Sequence, residues 1–238
     1  MKKFAALFLL ALVAAVAVLA MSIKQGQDKT SSDDPLVWED DIRALEELNS
    51  QAPRDNTVLF VGSSSIRLWH SLGQDMAPIN VIQRGFGGAR MNDVVHYADR
   101  IVTPFSVDAI VIFVGTNDIN VSDTPHEAVQ DITEGLSRLM QQIRAAHPDT
   151  PVFYIAITPT FLSWDKWDAV QAANTAVAQL LESDPNASMI LTSDLFLGDD
   201  GQPIKKLYQF DGLHLSKDGY ERWTSRIKPV LMEVVNPP

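Results

Sequence analysis

The chain contains no cysteine. Disulfides, thiolate metal sites and a cysteine nucleophile are excluded, and so is the lipidated cysteine that anchors a bacterial lipoprotein. Basic residues are also scarce: 19 Lys and Arg stand against 30 Asp and Glu, a net charge of −11. With no Lys/Arg stripe, the footprint that holds phosphates is missing, and no nucleic-acid partner is expected. The acidic surplus serves solubility. The five histidines are scattered, with no H-E-x-x-H or similar spacing, so no metal is expected. Nor is any other cofactor. A dinucleotide fingerprint fails at Gly85-Phe86-Gly87-Gly88-Ala89-Arg90, where the last glycine of G-x-G-x-x-G is replaced by Arg90.

Long apolar runs are absent except at the N-terminus. There Met1-Lys2-Lys3 precedes FAALFLLALVAAVAVLAM, residues 4–21, an uncharged run of about 18 residues followed by polar sequence. A basic start and an apolar core read as a secretory signal, with Val18-Leu19-Ala20 as a fair cleavage site. The same length is the lower range of a membrane-spanning helix. Residues 1–21 are thus a cleaved signal peptide or an uncleaved anchor that tethers the chain to a membrane. In both cases the leading lysines put the remainder on the exported side: periplasmic, secreted, or held at the outer face of the inner membrane. Residues 22–36 are polar and read as a linker. Residues 37–238 read as one domain, since 238 residues with 46% hydrophobic content supply one sizeable core.

Short apolar runs alternate with helical patterns along that domain. Val58–Val61, Asn80–Gln83, Ala109–Val114, Val152–Ile157 and Met189–Leu191 read as buried parallel strands. Helices are expected over Trp38–Leu48, Ile66–Leu72, Met91–Val102, Pro125–Ala146, Trp167–Leu181 and Ser216–Val235. The Pro125 helix has the clearest start, with Thr124 as N-cap, proline at the first position and Glu127 in capping-box position. Such alternation predicts a three-layer α/β fold with a parallel sheet, whose sites form past the carboxyl ends of the strands.

Four such places stand out. Gly62-Ser63-Ser64-Ser65 puts a serine in a turn that opens a helix, where a hydroxyl is presented beside free N–H groups. Ser63 or Ser64 could equally cap that helix. The glycines at 85, 87 and 88 permit close approach and positive φ; they read either as a strained turn or as a turn that points a glycine N–H, that of Gly88, into the site. Gly115-Thr116-Asn117-Asp118 offers the Asn117 side chain as a donor to developing negative charge, although Asn and Asp are also ordinary turn residues. In Asp211-Gly212-Leu213-His214, the spacing brings carboxylate and imidazole to one side of a turn, leaving one ring nitrogen free for a serine proton. Asp93 and His96 repeat that spacing inside a predicted helix, and read as a helix-face pair.

These blocks, GSSS at 62–65, GFGG at 85–88, GTND at 115–118 and DGLH at 211–214, resemble in order those of the SGNH (GDSL-type) hydrolase superfamily. The resemblance implies a flavodoxin-like α/β/α sandwich with a five-stranded parallel sheet, and an ester hydrolase. It also implies Ser64 as nucleophile, Asp211 and His214 as acid and base, and Ser64, Gly88 and Asn117 as the oxyanion hole. Asn174 falls where related esterases carry a structural asparagine. The chain departs from the family at Ser63, usually aspartate, and at Gln83, near a usual asparagine. The implied substrate is a small ester: an acyl ester, a lysophospholipid or an acetylated sugar. Thr160–Trp167, rich in aromatics, either walls the pocket or packs a loop. Arg67 and Arg90 flank the site in sequence.

Overall fold

The computed structural model describes residue 24, residues 26–49 and residues 56–235. The apolar run and the start of the linker lie outside the described residues. Among those described, no helix is long and apolar enough to cross a membrane.

Five strands form one parallel sheet in the order β2-β1-β3-β4-β5, with β1 Thr57–Gly62, β2 Asn80–Gly85, β3 Ala109–Phe113, β4 Val152–Ile155 and β5 Ala187–Ile190. The three-layer α/β/α sandwich expected from the alternation is the one observed, in the flavodoxin-like strand order. Every residue of β1, β3 and β4 is buried, as continuous apolar runs covered on both faces require. The side chains of β3 divide by the two-residue period of a strand. Ile110 and Ile112 join one core; Ala109, Val111 and Phe113 join the other.

The first core packs under α1 (Glu39–Glu46), α4 (Met91–Ile101), α6 (Pro125–Ala146) and α7 (Trp167–Leu181). The second packs under α2 (Ser64–Arg67), α3 (Leu72–Met76) and α8 (Lys217–Val234). A short α5 (Thr116–Val121) follows β3. Local signals set the boundaries of α6 and α8. Thr124 Oγ1 accepts the Glu127 N–H at 3.2 Å, and Ser216 Oγ accepts that of Gly219 at 3.3 Å.

Two expectations changed. The single helix expected over Ile66–Leu72 is split into α2 and α3. Between them Trp69 turns fully inward, stacks on Tyr220 at 5.1 Å, and donates its indole N–H to Asp75 at 2.6 Å. Gln83 adds a second donor to two carbonyls of this turn, donating to Ile66 O at 2.5 Å and Trp69 O at 3.1 Å. In addition, the turn expected at Gly115–Asp118 continues as a short helix, α5.

Candidate active site

Three strands deliver three of the four blocks to the same edge of the sheet. At the end of β1, Gly62 has φ +146°, and a Cβ there would sit 1.9 Å from the Phe113 carbonyl oxygen. Only glycine permits that turn, which β1 and β3 form in close contact. Ser63 follows as an extended residue, 2% exposed, with no capping bond from its side chain. Its hydroxyl therefore does not serve as the helix cap.

Ser64 is the first residue of α2. Its hydroxyl lies 2.9 Å from His214 Nε2, across 150 residues of sequence. The imidazole is fixed from behind. Asp211 Oδ2 lies 2.7 Å from His214 Nδ1, while Oδ1 accepts the Leu213 and His214 N–H groups at 2.9 and 3.0 Å. Gly212, at φ +69°, lets the chain turn tightly enough for both carboxylate oxygens to be used. Partial burial pushes the Asp211 carboxyl up, but the His214 and backbone hydrogen bonds outweigh it and hold the group below its ordinary range. An ionised Asp211 accepts a proton-bearing Nδ1, so Nε2 presents its lone pair to Ser64.

Asn117 lines the same cavity as Ser64, and Gly88 lies in the loop that follows β2. Neither the Ser64 nor the Gly88 N–H makes a hydrogen bond with another of the described residues. Asn117 is 8% exposed and donates one amide hydrogen to the Ala89 carbonyl at 3.0 Å, leaving the second free. Ser64 and Asn117, with Thr158, Thr160 and Leu213, line a small, partly open cavity of about 10 Å³, room for one water-sized group. An open pocket of about 480 Å³ lies on the other side of the Asp211 loop, between Phe161, Leu162, Lys205, Tyr208 and Phe210. Phe210 is fully exposed.

All five residues singled out for a site therefore come to one sheet edge: Ser64, Asp211 and His214 in a hydrogen-bonded line, with Gly88 and Asn117 in the neighbouring turns. The Asp93/His96 decoy is not such a pair. Asp93 accepts the Arg90 N–H at 2.8 Å and so caps its own helix, while exposed His96 packs on the edge of Tyr97. No group of metal-ligating side chains occurs among the described residues.

Of the 160s loop, Trp164 and Trp167 stack on each other at 5.7 Å, while Phe161 and Leu162 line the open pocket. Asn174 clamps the chain beyond β4, accepting Ile157 N–H at 2.8 Å and donating to Ile157 O at 3.0 Å. Arg67 is exposed, whereas Arg90 is spent on Asp33 and the Ser32 carbonyl. The GFGG loop differs from expectation in one respect. None of Gly85, Gly87 and Gly88 has positive φ, so close approach alone requires them.

One contributor escaped the sequence. Asp118, fully buried, accepts the Met91 N–H with both oxygens, at 3.0 and 3.2 Å. It thereby ties the start of α4 to the GTND turn. Burial pushes its carboxyl up to about 7. In sequence it was indistinguishable from a turn residue.

Residues 34–222 match the model of the GDSL-like lipase/acylhydrolase family. A GDSL-like lipase from Bacteroides thetaiotaomicron superposes with a TM-score of 0.65 at 17% identity, over 81% of this chain and 97% of that one. A Clostridium thermocellum family 3 carbohydrate esterase gives 0.57 at 16% identity, over 76% and 98%. At these identities the likeness is one of fold. An Escherichia coli N-acylneuraminate cytidylyltransferase is 26% identical over 206 residues, 85% of this chain. The chain spans 46% of that protein's length.

Proposed function

The chain belongs to the GDSL-like lipase/acylhydrolase family, and from that premise we propose that it is a serine ester hydrolase acting on short-chain acyl or acetyl esters. One observation carries the proposal: the hydroxyl–imidazole–carboxylate line of Ser64, His214 and Asp211, with spacings of 2.9 and 2.7 Å. In the proposed reaction His214 Nε2 takes the Ser64 proton as Oγ attacks the ester carbonyl. Asp211 orients the ring and stabilises the imidazolium. The Ser64 and Gly88 N–H groups and the free Asn117 amide hydrogen meet the developing oxyanion. The imidazolium then gives its proton to the departing alcohol. Water attacks the acyl-enzyme, with His214 again as base, and the acid is released.

The substrate's shape follows from the space available. The small cavity beside Ser64 favours an acetyl or similarly short acyl group. The open pocket, with Phe161 and Phe210 at its sides, favours a larger alcohol portion outside. Exposed aromatic rings also suit a sugar face. They support a second reading with the same machinery, removal or transfer of acetyl groups on envelope glycans. Export of the domain, cleaved or tethered through residues 4–21, belongs to either proposal and rests on the N-terminal pattern.

Hydrolysis of acetyl, butyryl and longer aryl esters, compared with acetylated sugars, tests the assignment. The reading requires turnover that falls with acyl length and disappears in Ser64→Ala, while Ser65→Ala retains most of it. Equal turnover by Ser64→Ala would overturn it. Acyl recovered on an added sugar acceptor, in place of free acid, would favour the transferase.

A further inference from the structure

The polar stretch before the domain is in close contact with the loop that carries Gly88. A Cβ on Gly87 would lie 2.0 Å from the Trp38 ring, and one on Gly88 would lie 1.9 Å from Thr30 Oγ1. The α-carbons of both glycines are thus covered by residues 30–38, which explains glycine at two positions whose φ does not demand it.

Further contacts hold this strap in place. The Arg90 guanidinium, only 17% exposed, donates to the Ser32 carbonyl and to Asp33 Oδ1 at 3.0 Å. Trp38 is 2% exposed and meets Phe86, inside the loop, edge-on at 5.7 Å. The Tyr97 hydroxyl donates to the Pro35 carbonyl at 3.0 Å. Lys29 steadies the segment, pairing with Asp41 at 2.7 Å and lying over the Trp38 ring. On its opposite side the loop is gripped by Asn117 through the Ala89 carbonyl and by Asp118 through the Met91 N–H. The loop lies between these two clamps with the Gly88 N–H unengaged.

We propose that residues 30–38 are part of the catalytic unit, with Thr30, Trp38 and Arg90 acting as positioning residues that hold the Gly88 N–H where the oxyanion forms. The inference rests on the ester-hydrolase reading above. A linker would leave the reaction indifferent to these side chains. A positioning strap would not, because a donor misplaced by about 1 Å costs on the order of 10²-fold in rate.

The experiment uses the full chain in four forms: wild type, Arg90→Met, Arg90→Lys and Trp38→Leu. It reads kcat and KM on an aryl acetate, melting temperature, and amide exchange in the 85–91 peptide. Arg90→Met should lower kcat by about 10-fold or more, leave KM within about 2-fold, and accelerate exchange in that peptide. Arg90→Lys, which keeps a donor for the Ser32 carbonyl, should recover part of kcat. Trp38→Leu should act like Arg90→Met with a larger fall in melting temperature. Because Arg90 belongs to neither hydrophobic core, its variants keep the test decisive if Trp38→Leu fails to fold. Unchanged kcat in Arg90→Met would overturn the proposal even if the melting temperature falls, since the strap would then only stabilise. If wild type cleaves no ester, the ester-hydrolase reading fails by itself. Peptide exchange in the Arg90 variants then decides whether the strap fixes the loop, and unchanged exchange would overturn it.

Discussion

Replacing Asn117 with alanine separates two jobs done by one side chain. One amide hydrogen holds the Ala89 carbonyl at 3.0 Å; the other is free beside Ser64. Losing the first leaves a buried carbonyl without its partner, at a cost of about 1–3 kcal/mol in stability. For a domain of this size that lowers the melting temperature by roughly 2–4 °C per kcal/mol. Losing the second removes an oxyanion donor, for which about 10²–10³ in turnover is expected, equivalent to roughly 2.7–4 kcal/mol in the barrier. Because the donor acts mainly in the transition state, kcat should fall and KM should stay nearly constant. Steady-state hydrolysis of an aryl acetate well below the melting transition measures both. A kcat within about threefold of wild type, at a lowered melting temperature, would refute the catalytic half of the reasoning.

Two other substitutions probe the surroundings. Asp118→Asn keeps one of the two oxygens that accept the Met91 N–H and removes the titration. The folded carboxyl is raised to about 7 by burial, against about 3.9 unfolded. The native state therefore holds the extra proton between those values, and this group's contribution to stability falls as pH rises through them. Relative to wild type, Asp118→Asn should gain stability from about pH 4 to pH 8; denaturant midpoints that run parallel would contradict this. Asn174→Ala removes both hydrogen bonds to the Ile157 backbone and should cost about 1–3 kcal/mol in stability with kcat unchanged. A loss of turnover without a loss of stability would give Asn174 a role that its geometry does not support.

The strands were legible because a parallel strand covered on both faces must be apolar throughout, and runs such as Ala109–Phe113 declare it. Helix α6 was legible because its start is coded locally by Thr124 and Pro125. What failed depended on distant partners. The Ile66–Leu72 pattern looked helical, yet Trp69 leaves the helix for a place against Tyr220, over 150 residues on. The contacts of residues 30–36 are invisible in sequence for the same reason, since the Ser32 carbonyl and Asp33 meet Arg90 more than 50 residues away. The three serines show the same limit. Nothing local distinguishes Ser64 from Ser63 or Ser65; the resemblance across four distant blocks implies it, and His214, 150 residues on, approaches its hydroxyl at 2.9 Å. Ser65 gives its carbonyl to Tyr220 instead, at 2.8 Å.

The most direct test of the account is the covalent intermediate itself. Wild-type protein quenched during turnover of an activated acetyl ester should gain the mass of one acetyl group, confined on peptide mapping to Ser64 and lost in Ser64→Ala. Turnover with no acyl-enzyme, or acetyl recovered on Ser63 or Ser65 in the wild type, would contradict it.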